Sequence, residues 1–238
     1  MNKFKEELIK GSLKLGIFLT EDMLELFYSH YQIMVEENNK YNLTAITSKL
    51  EAAEKHFVDS LLLLKEIEKY SYIFMVDIGS GAGFPGLPLK ICRPENINLV
   101  LVDAVNKKVN FLKKVIAALK LEKTTAIHAR AEEMAVDYRE KFDVAVTRAV
   151  GELRLIAEYC LPLIKIGGIF IAAKGPNVKE EINNAANSIK TLGGKIIKVR
   201  EEKLPISNEG RTIVTIEKIK GTPAKYPRRP GIPKKDPL

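Results

Sequence analysis

The chain has 238 residues, 46% of them hydrophobic and 29% charged, with a formal net charge of +8, a composition that suits a globular protein with one sizeable core and a polyanionic partner. No stretch reaches the roughly 18–20 apolar residues of a membrane span, and the start Met1-Asn2-Lys3-Phe4-Lys5-Glu6 lacks the apolar run and cleavage site of a signal peptide, so a cytoplasmic location is expected. Cys92 and Cys160 lie in apolar surroundings without metal-ligand spacing, which predicts reduced core thiols rather than a disulfide or a zinc site.

The first predicted element is a helix from Thr20 to about Lys40, capped by Thr20 and carrying Met23, Leu24, Phe27, Tyr31 and Val35 on its apolar face. Ser48-Lys49-Leu50-Glu51 reads as a capping box, and the periodic run beyond it, through Phe57, Leu61 and Leu64, predicts a second helix to about Lys69. Residues 1–70 are therefore expected as a helical extension without strands. After Tyr70, short apolar runs alternate with amphipathic stretches, the pattern of a parallel sheet flanked by helices. Strands are predicted at Ile73–Ile78, Asn98–Asp103, Thr124–His128, Phe142–Thr147 and Gly168–Lys174, and helices at Asn106–Leu121, Gly151–Ile164 and Val178–Leu192. Lys195–Glu202 and Arg211–Lys218, separated by a loop with Pro205, Asn208 and Gly210, predict a closing hairpin. The expected organisation is an α/β domain over 71–220 and a basic, proline-rich tail over 221–238. From Lys218 onward seven basic residues face the single acid Asp236. Pro223, Pro227, Pro230, Pro233 and Pro237 rule out a helix there and favour an extended or turn-rich strap, suited to an arm laid on an RNA backbone. Lys225, Arg228, Arg229, Lys234 and Lys235 are its candidate phosphate contacts, and cutting away 225–238 is expected to weaken RNA binding while sparing a cofactor.

The chemistry is expected at four points. Asp77-Ile78-Gly79-Ser80-Gly81-Ala82-Gly83-Phe84-Pro85-Gly86 follows the first strand, and its glycines let the backbone approach a ligand where a Cβ would clash. Gly79, Gly81 and Gly83 fit a methyltransferase loop, while Gly81, Gly83 and Gly86 also fit the G-x-G-x-x-G of dinucleotide enzymes. Asp103 ends the second strand, where a carboxylate can accept hydrogen bonds from two ribose hydroxyls in either cofactor class. At Arg130-Ala131-Glu132 a backbone amide and a carboxylate can meet an adenine ring. Arg148, at the end of the fourth strand, brings a cation to the carboxyl edge of the sheet, facing a phosphate, a cofactor carboxylate or base acceptors. His30, His56 and His128 form no metal or nucleophile constellation, and no hydrolytic arrangement is readable. His56 reaches the chemistry only if the helical extension faces the cleft.

With these elements in order, the chain resembles the RsmG (GidB) family, methyltransferases that modify N7 of a guanosine in the 530 loop of 16S ribosomal RNA. The resemblance rests on residues 41–46, 56–61, 77–86, 103–108, 130–133, 147–150 and 225–231, which read YNLTAI, HFVDSL, DIGSGAGFPG, DAVNKK, RAEE, TRAV and KYPRRPG. It implies a Rossmann-like class I fold, S-adenosylmethionine as cofactor with S-adenosylhomocysteine as product, and the 30S subunit or its RNA as partner; nothing in the residues suggests an obligate dimer, and a monomer is expected. It also implies cofactor contacts at Gly79, Phe84, Asp103, Ala131, Glu132 and Arg148, with Lys107-Lys108 standing where the family often has Lys-Arg. Guanine N7 carries no proton to remove, so no general base is expected, and the protein's contribution is orientation, on the order of 7–11 kcal/mol at most. A nicotinamide oxidoreductase would need a hydride-side acid or base, which the sequence does not offer. A noncatalytic RNA-binding module would have no use for Gly79, Asp103 and Glu132 together.

Overall fold

A computed structural model describes residues 2–238. Seven strands, β1 Ile73–Ile78, β2 Ile97–Asp103, β3 Thr124–His128, β4 Phe142–Arg148, β5 Ile164–Lys174, β6 Gly194–Lys203 and β7 Gly210–Lys218, form one sheet in the order β3-β2-β1-β4-β5-β7-β6. β1 to β5 run parallel, and β7 returns antiparallel between β5 and β6 as the predicted hairpin. The central strands are apolar on both sides because both sides are covered. Met75, Leu99, Leu101, Val144 and Ile171 face one core, while Val76, Val100, Ala145 and Phe170 face the other.

The first core takes its helical cover from α1 Lys3–Lys14, α2 Glu21–Tyr41, α6 Gly86–Cys92 and α7 Asn106–Ala118, through Phe4, Leu8, Phe27, Leu87 and Phe111. The N-terminal helices thus share their core with the sheet. The second core is covered by α8 Ala131–Tyr138, α9 Leu153–Cys160 and α10 Lys179–Thr191, with Met134, Ile156, Ile189 and the tail residue Tyr226. Thr20 caps α2, accepting the Met23 amide at 3.3 Å. β1 lies between β2 and β4, so successive crossovers leave it in opposite directions and open a crevice at its carboxyl end, where doubly wound sheets hold ligands.

Three expectations need correction. The helix predicted from Ser48 to Lys69 is broken into α3 Lys49–Ala52, a π-helical turn Ala53–Val58, α4 Asp59–Leu61 and α5 Leu64–Ile67. The Ser48 side chain makes no capping bond, and its carbonyl, accepting the Ala52 amide at 2.9 Å, starts the helix instead. The wide π turn keeps Phe57 in the core while turning His56 and Asp59 toward a cavity. The tail is not free of helix, since Ile232–Lys235 form a single helical turn, α11, with Pro233 near its start, where the missing amide costs nothing. Among the described residues no helix is long and apolar enough to cross a membrane, and no cluster of metal-ligating side chains occurs.

Candidate active site

The loop after β1 is stitched to β2. The amides of Gly79 and Ser80 donate to the carbonyl of Val102 at 2.8 and 3.0 Å, and the Ser80 hydroxyl donates to the Asp77 carbonyl at 2.8 Å. Gly79 has φ +74°, and a Cβ there would come within 2.5 Å of Val150 Cγ2. Asp103 orders the loop from the other side: Oδ2 accepts the Gly81 amide at 3.0 Å and Oδ1 the Val105 amide at 2.9 Å, with Lys108 Nζ 3.9 Å away. Asp77 is fully buried beneath the loop. Its Oδ2 accepts the Gly86 amide at 2.9 Å, its Oδ1 has no partner, and burial raises its pKa to about 7.

Two cavities flank the carboxyl edge of the sheet. The smaller, of about 150 Å³, is lined by Gly79, Asp103, Ala131, Glu132, Tyr159 and Val150 and by two tail residues, Gly231 and Lys234. The larger, of about 460 Å³, is lined by Lys55, His56, Asp59, Arg148, Lys174 and Arg211. The loop after β4 divides them, with Ala149 in the wall of the larger and Val150 in that of the smaller.

Arg148 is tied to the π-helical turn. Its Nη1 donates to the carbonyls of Lys55 at 2.9 Å and His56 at 3.3 Å and lies 3.4 Å from Asp59 Oδ2. Its Nη2 lies 3.3 Å from His56 Nδ1. Burial lowers its pKa, and the compensating carboxylate is Asp59, which Arg211 Nε also meets at 3.1 and 3.2 Å. The guanidinium carbon stands 5.0 Å from the centre of the Phe84 ring. That ring is sandwiched between His30 and His56, with centroids at 5.0 and 4.7 Å and planes within 18° and 16°. Because Arg148 offers only N–H groups, His56 Nδ1 is the acceptor, and Nε2–H is left to donate to Thr44 Oγ1 at 2.9 Å. Burial and then the nearby Arg148 charge lower the His56 pKa to about 3. Burial alone lowers that of His30 to about 4, against the bond between its Nε2 and the Ala82 carbonyl at 2.8 Å.

Of the residues singled out in the sequence, Gly79, Asp103, Ala131 and Glu132 meet in the smaller cavity and Arg148 lines the larger. Phe84 is a buried backing between His30 and His56. Gly83 serves packing, since a Cβ there would meet Leu87 Cδ1 at 2.3 Å, whereas the Cβ position of Gly81 is open. Lys107 is exposed and Lys108 half-buried. In the tail, Lys225, Arg229, Lys234 and Lys235 are exposed, but Arg228 is committed to the buried carboxylate of Glu158 at 2.7 Å and is not a free phosphate contact. Sequence reasoning missed Asp59, Arg211, Lys55 and Lys174 in the larger cavity and Tyr159, Gly231 in the smaller. The His56-Phe57-Val58-Asp59 spacing was the one signal available, because it sets both polar groups on one face of a helical turn.

The sequence family described as rRNA small subunit methyltransferase G, GidB, matches residues 23–208. The ribosomal RNA small subunit methyltransferase G of Pelotomaculum thermopropionicum is 46% identical over 240 residues, covering 100% of both chains. Its counterpart in Bacillus subtilis is 44% identical over 235 residues, covering 98% of each. Among solved structures, TrmN from Thermus thermophilus superposes with a TM-score of 0.55 at 15% identity, over 68% of this chain and 48% of that one. A mutant of MtNAS in complex with S-adenosylmethionine gives 0.56 at 18% identity, over 82% and 73%. Precorrin-6y C5,15-methyltransferase from Geobacter metallireducens gives 0.54 at 16%, over 67% and 87%. These structures share the fold, a Rossmann-like α/β sheet.

Proposed function

The chain belongs to the GidB family, rRNA small subunit methyltransferase G, and from that premise we propose how its two cavities divide an S-adenosylmethionine-dependent methylation of guanine N7 in the 530 loop of 16S ribosomal RNA. The observation that carries the reading is the juxtaposition across Ala149–Val150. A cavity with the carboxylates of Asp103 and Glu132 and the bare backbone of Gly79 lies on one side, and a larger cavity lined by Lys55, Arg148, Lys174 and Arg211 together with the acids Asp59 and Glu209 lies on the other.

The donor set of the smaller cavity fits the adenosyl end of the cofactor. Asp103 has lone pairs beyond those used by Gly81 and Val105 and can accept from the ribose hydroxyls. The Ala131 amide and the Glu132 carboxylate suit the acceptor and amino edges of adenine, and the bare backbone at Gly79 admits the chain between ribose and sulfur. When bound, S-adenosylmethionine supplies an electrophilic methyl group on a sulfonium centre. The larger cavity takes the target base.

N7 attacks with a lone pair and loses no proton, so the residues here need to orient and to exclude water. His30 and His56 fit that division of labour: held neutral well below pH 6, they form an apolar stack around Phe84 and contribute no charge. Methylation leaves a positive charge on the base, so a cation against the imidazole ring opposes the reaction. Arg148, fastened by the π-helical turn, is instead directed at the guanine O6 edge, the cofactor carboxylate or a phosphate. It is the proposed catalytic residue in the sense of fixing these partners against each other. The exposed cations Lys107, Lys225, Arg229, Lys234 and Lys235, with the half-buried Lys108, hold the RNA backbone. 16S ribosomal RNA, free or in the 30S particle, as substrate, a monomeric enzyme and a cytoplasmic setting complete the proposal.

Transfer of labelled methyl to undermethylated small-subunit RNA and to 30S particles, followed by mass spectrometry of the modified base, tests it. N7-methylguanosine at a single loop position is the expected product, and Arg148→Lys, which cannot reproduce the guanidinium fork, lowers the rate at saturating cofactor. A rate unchanged at saturation removes Arg148 from the chemistry, and methylation elsewhere removes the N7 assignment.

A further inference from the structure

The segment after β7 is bolted to the body along its length. Arg139, just past α8, turns its guanidinium onto tail carbonyls: Nη1 donates to Tyr226 at 2.7 Å, and Nη2 to Thr222 at 2.6 Å and Pro223 at 3.2 Å. Glu140 accepts the Thr222 amide at 2.8 Å, and Tyr226 is buried in the second core. Arg228 grips Glu158 on α9 through Nη2 to Oε2 at 2.7 Å and Nε to Oε1 at 2.9 Å, with its backbone amide also on Oε1 at 2.9 Å. At the far end Ser188 Oγ donates to the Leu238 carbonyl at 2.8 Å. Between the last two fasteners the chain runs along the smaller cavity. There the Gly231 amide donates to Glu132 Oε1 at 3.0 Å, and Gly231 and Lys234 form part of the wall.

We infer that residues 228–235 are a wall of the cofactor site, latched by Arg228 on Glu158, and that the Gly231 amide positions the Glu132 carboxylate for the adenine. The inference rests on reading the smaller cavity as the adenosyl end. One amide on Oε1 fixes the carboxylate's direction and leaves Oε2 for an amino group, so Gly231 acts as a positioning residue through Glu132. The cavity, about 150 Å³ with Gly231 and Lys234 in its lining, is smaller than the roughly 300–1,000 Å³ of ordinary ligand clefts, so a displacement of the strap changes a large share of the surface a ligand would meet. Glu158 explains why the strap is latched where it is: a fully buried carboxylate needs a partner that brings both charge and several N–H groups, and a bidentate guanidinium brings both. On this inference, removing 225–238 is expected to weaken cofactor binding, against the expectation from the sequence that it spares the cofactor.

The test is calorimetric titration of the full-length protein with S-adenosylhomocysteine, together with amide hydrogen exchange. Arg228→Ala is expected to weaken binding about tenfold or more, the scale of one charge-assisted hydrogen bond, under conditions where circular dichroism shows the chain folded. Should Arg228→Ala fail to fold, Gly231→Ala decides the matter. Its Cβ would have open space but a φ of +87°, which a side chain disfavours, so it displaces the strap without removing a contact, and binding again weakens several-fold. Exchange of the amides of 231–236 is expected to slow when the ligand saturates the unaltered protein. Affinity within twofold of the unaltered protein in the folded variants, with no change in exchange, overturns the strap as part of the site while leaving the cofactor reading intact. Failure of the unaltered protein to bind S-adenosylhomocysteine overturns both.

Discussion

Replacing Gly79 by Ala tests whether the loop after β1 is held in a single shape by the partition between the cavities. Two separable costs follow from the structure. At φ +74° an alanine sits in the left-handed region, which disfavours a Cβ by about 1–2 kcal/mol. The same Cβ would stand 2.5 Å from Val150 Cγ2 and 3.3 Å from Cγ1, an overpacking that costs about 1–3 kcal/mol. Urea unfolding of Gly79→Ala is therefore expected to show a loss of about 2–5 kcal/mol. Val150→Ala removes both clashing methyls and leaves only Val150 Cβ at 3.5 Å, ordinary contact. In the double variant the overpacking share returns and the conformational share does not, so the double-mutant cycle gives a coupling of about 1–3 kcal/mol. A coupling below about 0.5 kcal/mol, the scatter of independent sites, would refute the claim that Val150 fixes the loop. A neutral Gly79→Ala would refute the claim that the loop needs its left-handed turn.

Acid sensitivity should trace in part to His30. Its pKa is about 4 in the folded chain against an ordinary 6.5, so the unfolded chain takes the proton more readily; stability is complete above about pH 6.5 and is lost as pH falls toward 4. The full effect is about 3 kcal/mol. Asp77, raised to about 7, works in the opposite sense, losing stability as pH rises from about 4 to 7, so the readout is the difference between the unaltered protein and His30→Phe in urea melts at pH 7 and 4.5. Parallel pH dependence in the two proteins contradicts the burial argument. In the tail, the triple change of Lys225, Arg229 and Lys235 to Ala is expected to shallow the log–log salt slope of loop-RNA binding by about 2, at roughly 0.7 per single-strand phosphate contact, measured by fluorescence anisotropy. An unchanged slope takes these cations off the RNA.

Parallel strands announced themselves because runs such as Val100-Leu101-Val102 are apolar, rich in β-branched residues and bounded by polar turns, so β1 and β3 begin and end where the pattern does. The broken helix between Ser48 and Lys69 was hidden, since a π-helical turn shifts the register without emptying any apolar position, and Phe57 and Leu61 stay buried. At the site, the glycines, Asp103, Glu132 and Arg148 were readable because each sits at a strand end or just past one. The tether of Arg148 was not: its acceptors are the carbonyls of Lys55 and His56, and backbone acceptors leave no trace in residue identity. The same holds for the strap. Glu158 looks like any acid on an amphipathic helix, and its partner Arg228 is 70 positions away, beyond any spacing rule.

The grip of Arg139 on the tail carbonyls bears on how alleles of this gene should be read. A nonsense mutation near the codon for Thr222 leaves the whole matched family region, 23–208, in the reading frame and every loop glycine in place. The truncated product, however, holds an Arg139 guanidinium without its three acceptors and a buried Glu158 carboxylate without its counterion, and losing one partner of a buried pair costs about 3–5 kcal/mol. Such an allele keeps the glycine loop, Asp103 and Arg148 and is nonetheless expected to give a less stable product, which urea unfolding of the shortened chain would read.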